Sequence, residues 1–485
     1  MTQAHMIALA LIPLAAIPGA VAAAWFRPVR DIFFFSMVSL AVVAERMEVN
    51  FFSEAWYRGT TRGLEVTLVE LLAFGLLFGC WAGRRGPERR LFWPASLGLL
   101  LAYFAYACVS VAVSHPKIFG AFELSKILAS ILVFLASASY VRSRREWTLL
   151  VVALGCAVGF EGLWALKQHF ITHLGRVAGT LDHANSLSMY FCMTVPLLVA
   201  VSLSGWSRGL RLFCGLCALA ACAGLILTLS RAGIPIFAAV VAGTIFACAS
   251  WRLSPSRIAV RAILVLGVAA MVAACWTQMG LRYSESSLEE EYFDPAVDGR
   301  GVYLRLSAAI VKEHFFGVGL NNWSYEVSRT YGPRLGYRFE DYDFLTSVYG
   351  RTDDKQFADS YLAAPAHNLA ALTLGELGVP GLIIFALLWI RWLTMAAPFI
   401  LLPRGEPMRA MGVGLLFGIC GVFGQSLTEW VYRQTPILLT FYILLGALAS
   451  MVHARRQARA EERPAGVAAE GGDPVPRDCL VEEGV

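Results

Sequence analysis

Residues 212–250 read LFCGLCALAACAGLILTLSRAGIPIFAAVVAGTIFACAS. Arg231 is the only charged side chain in the stretch. The flanks, 212–230 and 232–250, each come close to the ~20 apolar residues that a membrane span requires. A helix on the surface of a soluble domain would show a polar face at helical spacing, and neither flank does. The stretch therefore predicts two transmembrane helices joined by a tight corner.

The rest of the chain agrees. Of 485 residues, 57% are hydrophobic and 15% charged, with mean hydropathy +0.60. Soluble domains carry roughly 25% charged residues. The composition excludes a water-soluble enzyme. A net charge of +5 without a dominant basic block excludes a nucleic-acid-binding or disordered chain. Ten of the eleven cysteines lie inside apolar runs. Even the Cys214/Cys217 pair has no partner pair or polar access, so packing is their predicted role.

Apolar runs predict spans near 4–26, 31–44, 64–82, 91–113, 118–140, 147–166, 185–204, 212–230, 232–250, 260–279, 368–390, 409–428 and 436–453. The expected fold is an all-α polytopic membrane protein of about 12–13 transmembrane helices. The first run has an A-x-A-like end but no basic n-region, and reads as a membrane helix with a cleaved signal peptide as the alternative. Arginines recur in alternate short connections: Arg84, Arg85, Arg89 and Arg90; Arg142, Arg144 and Arg145; Arg208 and Arg211; Arg252, Arg257 and Arg261; Arg404 and Arg409; Arg455, Arg456 and Arg459. Each set is two spans from the next, so the positive-inside rule places them all in the cytoplasm. With thirteen spans the N-terminus lies outside; with twelve it lies inside.

The expected organisation is an N-terminal bundle over 1–279, a large non-cytoplasmic loop over 280–366, C-terminal spans over 367–453 and a polar, disordered cytoplasmic tail over 454–485. The loop holds more acidic than basic residues and sixteen aromatics. At that length it is expected to fold into short helices packed on the bundle. It has no counterpart in the first half, which argues against an inverted-repeat transporter.

Four places on the non-cytoplasmic side collect polar residues. They are Gly175–Asn185 (GRVAGTLDHAN), the Leu229–Gly233 corner, Asp298 through Trp323 (DGRGVYLRLSAAIVKEHFFGVGLNNW), and Ala366-His367-Asn368 followed by Gly375–Gly381 (GELGVPG). Arg231 reads either as an interface arginine that snorkels or as a planar fork for a phosphate. His367, at the outer end of a helix, reads as a capping residue or as a base near neutral pH. Asn368 can cap that helix or orient the histidine. Asp341-Tyr342-Asp343 has the spacing of a metal-bound nucleotide-sugar motif but lies on the wrong side for one. Glu123 and Lys126, three apart, predict an intramembrane pair. Glu161, Glu376 and Glu429 lie near span ends, Glu376 within a family-like motif but reading as structural, and Pro380-Gly381 predicts a break near mid-helix.

Together GTLDHAN, LTLSRAG, the R…IVKEHFFGVGLNNW stretch and AHN…GELGVPGL resemble the O-antigen ligase and O-antigen polymerase superfamily of bacterial envelope glycan enzymes. The likeness covers about 175–385. The sequence departs from the family where Glu313-His314 runs straight into Phe315-Phe316 without a proline, which leaves Arg300 as the better match to the family's loop arginine and Arg305 as the reserve. The resemblance implies a GT-C-like, inner-membrane transferase with its active site facing the periplasm, needing neither metal nor cofactor. The donor would be a glycan on undecaprenyl pyrophosphate, and the acceptor another glycan or lipid A–core. It implies His367 as base, and Arg231 with Arg300 as the clamp on the leaving pyrophosphate. Arg305, Arg176, His183, Asn185, Asn368, Arg58 and Arg62 are the further substrate-binding candidates. Beyond the donor and membrane lipids no partner is implied, and no nucleic acid. A ligase, a polymerase and a protein O-glycosyltransferase share the donor, and the motifs do not separate them. The alternative of another class is a non-enzymatic flippase or transporter of lipid-linked glycans.

Overall fold

The computed structural model describes residues 17–54, 57–83, 93–248, 301–337 and 363–461, with single positions 273, 276 and 280. All but two positions of the 260–279 run, the Asp341–Asp343 motif and Arg300 lie outside the described residues. The protein is polytopic and mostly helical. Seven described helices are long and apolar enough to cross a membrane, and three shorter apolar helices accompany them. In chain order the elements are α1 (Arg27–Leu40), a 3-10 extension (Ala41–Met47), β1 (Glu48–Ser53), β2 (Gly63–Thr67), α2 (Leu68–Ala82), α3 (Leu97–Val113), α4 (Lys117–Tyr140), α5 (Arg144–Phe170), α6 (Ala184–Ser202), α7 (Arg208–Leu227), α8 (Gly233–Cys248), α9 (Gly301–Glu313), α10 (Leu369–Ala396), α11 (Pro407–Ser426) and α12 (Thr435–Glu461).

The sequence predicts no strand, yet β1 and β2 form an antiparallel hairpin. The predicted span at 64–82 accordingly starts as strand. Its helix begins at Leu68, where Thr67 and Glu70 form a reciprocal capping box. That cap satisfies two of the amide groups a helix start leaves open.

α6 is the central helix and packs against α7, α8 and α11. Its apolar stretch is almost wholly enclosed by protein. α11 approaches it along Gly414, Gly418 and Gly421. A Cβ on Gly418 would lie 2.3 Å from the Met193 carbonyl oxygen, so only glycine allows this separation. Small residues at such contacts let membrane helices gain dispersion energy where lipid offers no hydrophobic gain.

α10 is interrupted. Gly378 has φ 65° and ψ −168°, inside an otherwise helical run. The break falls two residues before Pro380, which itself cannot donate to the preceding turn. In hydrocarbon the freed backbone groups need partners, and the segment Phe315–Gly319 supplies them. Val318 N donates to Gly375 O at 3.0 Å, Gly319 N to Glu376 O at 2.8 Å, and Val379 N to Phe315 O at 3.1 Å. The Tyr106 hydroxyl donates to Leu377 O at 2.8 Å. Thus FFGVG and GELGVPG, apart in sequence, dock on each other backbone to backbone.

A buried charge cluster locks this region to the rest. Glu123 and Lys126 of α4 pair at 3.1 Å. Lys126 also donates to the carbonyls of Thr60 at 3.2 Å and Arg433 at 2.8 Å. Arg433 forms an ion pair with Glu376 of α10, and both are buried. Asn321 joins in, its amide donating to Thr61 O and Phe119 O. Each charge has an opposite charge and further hydrogen bonds, the condition under which burial is tolerated.

Candidate functional site

His367 lies immediately before α10. Asn368 caps that helix, its Oδ1 accepting from Ala371 N at 2.9 Å. The Asn368 amide then donates to Leu427 O at 2.8 Å. One asparagine thus fixes both the helix start and the connection that follows α11.

That connection delivers Glu429. Its Oε2 lies 2.8 Å from His367 Nδ1, and its side chain is 3% exposed against 33% for the histidine. A carboxylate can only accept, so His367 donates from Nδ1. The Nε2 lone pair is left available to take a proton. The other carboxylate oxygen, Oε1, accepts from the Asn185 amide at 2.7 Å. Asn185 Oδ1 in turn accepts from Arg176 Nη2 at 2.8 Å, and Arg176 Nε donates to Thr228 O at 2.9 Å. Gln425 Nε2 holds the Asn185 carbonyl at 3.1 Å. A continuous chain therefore runs His367–Glu429–Asn185–Arg176–Thr228, drawing on three of the sequence motifs and on the α11 connection.

The loop carrying Arg176 is itself pinned. Gly179 exchanges two hydrogen bonds with the Gln168 side chain, at 2.7 and 2.8 Å. Gly179 has φ 69°, and a Cβ there would meet Glu161 Oε2 at 2.2 Å. Glu161 accepts from Thr180 N at 2.9 Å and from the Thr180 hydroxyl. Glycine is required at 179 both for the left-handed backbone and for the close approach.

Arg231 follows Thr228 in the corner between α7 and α8, and is half-buried. Ser230 turns the chain there, its Oγ accepting from Gly233 N at 3.2 Å. Gly233 sits against α6, where a Cβ would fall 1.8 Å from Ser188 Oγ. The corner is thus anchored both to α6 and, through Thr228, to Arg176.

The other candidates fall elsewhere. His183 caps α6, its Nδ1 accepting from Asn185 N at 3.1 Å. Arg305 Nε donates to the Tyr337 hydroxyl at 3.2 Å. It follows by two residues Tyr303, whose ring centroid lies 5.7 Å from that of His367. Arg58 and Arg62 sit in the loop packed on Asn321–Ser324, where Ser324 Oγ donates to Arg58 O at 3.3 Å. Sequence reasoning assigned no role in the site to Glu429, and missed Arg433 altogether. The only signal for Glu429 is an acidic residue directly after an apolar run, SLTEW.

The 3-10 extension carries Glu45 and the first strand of the hairpin Glu48. Burial, then the nearby Asp182 carboxylate, pushes Glu45 up to about 7. Burial, then Glu65 and Glu45, pushes Glu48 up to about 8. Among the described residues no group of three or more His, Cys, Asp or Glu side chains could hold a metal ion.

The fold and these residues define a polytopic helical membrane protein with a polar site at one end of the bundle. Residues 216–386, about a third of the chain, match the family model described as O-antigen ligase. The match spans the Arg231 corner, Arg305 and His367. No curated protein matches the chain.

Proposed function

We propose that the protein is a glycosyltransferase of the bacterial inner membrane, moving a glycan from undecaprenyl pyrophosphate to an acceptor hydroxyl on the periplasmic side. The observation that carries this reading is the His367–Glu429 pair, a partly exposed imidazole held by a buried carboxylate. The acceptor hydroxyl attacks the anomeric carbon, and His367 Nε2 takes its proton as the new glycosidic bond forms. Glu429 stabilises the imidazolium that results. The bond to the lipid pyrophosphate breaks, and its electron pair leaves with the phosphate oxygen. Arg231, with Arg176 and Arg300, offsets the charge that develops there. No metal ion takes part in this scheme. The positive-inside rule supports a cytoplasmic face for the arginine-rich connections, and with it an outer position for His367. The aromatic loop binds the acceptor, a growing glycan or lipid A–core.

The test is transfer in proteoliposomes supplied with a lipid-linked glycan and each acceptor in turn. His367→Ala should lower the rate by roughly 10²–10⁴-fold, the usual contribution of a general base, with protein level unchanged. Arg231→Lys keeps the charge and loses the fork, and should also be impaired. Full transfer by His367→Ala would sink the assigned role.

A further inference from the structure

The end of the bundle opposite His367 holds a second site. A cavity of about 150 Å³ opens between the last turns of α10, the 3-10 turn Ala397–Leu401 and the end of α12. Arg391 of α10 and Arg455 and Arg456 of α12 line it, and among the described residues the lining contains no carboxylate. The remaining wall includes Phe399, Met395 and Val452. The Arg455 guanidinium lies over the Phe399 ring, 5.4 Å from its centroid.

Arg391 is 22 residues beyond Leu369 on α10, or roughly 33 Å at 1.5 Å per residue. That rise matches the ~30 Å hydrocarbon thickness of a bilayer, so the cavity sits at the depth of the opposite headgroups. On the way to it α10 presents Ile383, Leu387 and Ile390 outward, at 55%, 46% and 57% exposure. Their spacing of four and three residues makes a continuous apolar track on one face. A snorkelling arginine would disperse its charge into water. Here three arginines from two helices line one concave space.

We propose that this cavity binds the phosphate of an anionic phospholipid, with the acyl chain lying along the Ile383–Ile390 track. Arginine forks suit phosphate oxygens bidentately, and the apolar wall suits the glycerol and first methylenes. The inference is independent of the activity proposed for the His367 end.

The test is native mass spectrometry of the full chain in detergent, titrated with phosphatidylglycerol or phosphatidylcholine, alongside thermal unfolding in inorganic phosphate. Phosphatidylglycerol should be retained over phosphatidylcholine. Arg391→Gln and Arg456→Gln should each weaken it about tenfold, as loss of one charge-assisted hydrogen bond implies. Arg208→Gln, remote in sequence and exposed, should not. Should Arg391→Gln fail to fold, the more peripheral Arg456→Gln decides alone. Equal retention of the two lipids, or unchanged binding in both variants, would overturn the proposal. Stabilisation by inorganic phosphate without preference for phosphatidylglycerol would overturn it in favour of a soluble anion.

Discussion

Glu429 Oε2 stands 2.8 Å from His367 Nδ1, and the two arrive from different connections, 62 residues apart. The same carboxylate is held from behind by Asn185 at 2.7 Å. The imidazole is thus fixed in position and tautomer by a group that solvent hardly reaches. A carboxylate in this place faces the positive charge that develops on the imidazole in the transition state and costs no reorganisation there.

Glu429→Gln should therefore behave almost as badly as loss of the histidine. The amide can offer its N–H to Nδ1 and so select the wrong tautomer, with the proton on Nε2. Loss of an orienting carboxylate costs on the order of 10²–10⁴-fold in comparable pairs. The check is kcat for glycan transfer by the purified variant, with the acceptor KM measured in parallel. A fall in kcat at nearly constant KM is expected. A change in KM alone would assign Glu429 to acceptor binding instead.

The buried Glu376–Arg433 pair gives a stability prediction that separates it from the site. Arg433→Met strands Glu376 without its guanidinium and should cost about 3–5 kcal/mol. The double variant Glu376→Leu with Arg433→Met removes both charges and should recover most of that loss. Thermal unfolding of the four proteins in a double-mutant cycle reads the coupling. Equal loss in the double and in Arg433→Met would mean that the pair matters through packing only.

The helix break makes a paired prediction at two glycines. Gly378→Ala meets a positive φ and places a Cβ 2.1 Å from the Phe315 carbonyl oxygen. It should destabilise by roughly 1–3 kcal/mol or more. Gly98→Ala, in α3 with nothing within 4 Å of the new Cβ, should be neutral or gain up to about 1 kcal/mol from helix propensity. Melting temperatures in the same detergent compare the two directly.

The span register was legible because apolar run length is a local property. Helices at 117–140, 144–170 and 184–202 fall where runs of that length predict them. The hairpin was not legible, since β1 and β2 are short and stabilised by each other rather than by their own composition. His367, Asn185 and Arg176 could be named from short motifs, and the structure brings them into one hydrogen-bonded chain. Glu429 and Arg433 could not, because their meaning depends on a fold that closes across long separations. Pro380 correctly signalled a break. The break itself sits at Gly378, where the Phe315–Gly319 backbone is the partner, and no local pattern encodes that partner.

The hairpin carboxyls predict a pH dependence of stability. Glu48 is pushed up to about 8 by burial and by its acidic neighbours, from an ordinary value of 4.5. Between those two values the folded protein holds a proton that the unfolded chain has released. Stability from this group is therefore complete below about 4.5 and declines as pH rises through 8. Glu48→Gln keeps the shape of the protonated carboxyl and cannot ionise. It should leave Tm near that of the parent at acidic pH and flatten the decline between the ordinary value of 4.5 and about 8. Parallel melting curves at several pH values test it. If parent and variant decline with the same slope, Glu48 is already ionised in the folded protein and burial does not hold its proton.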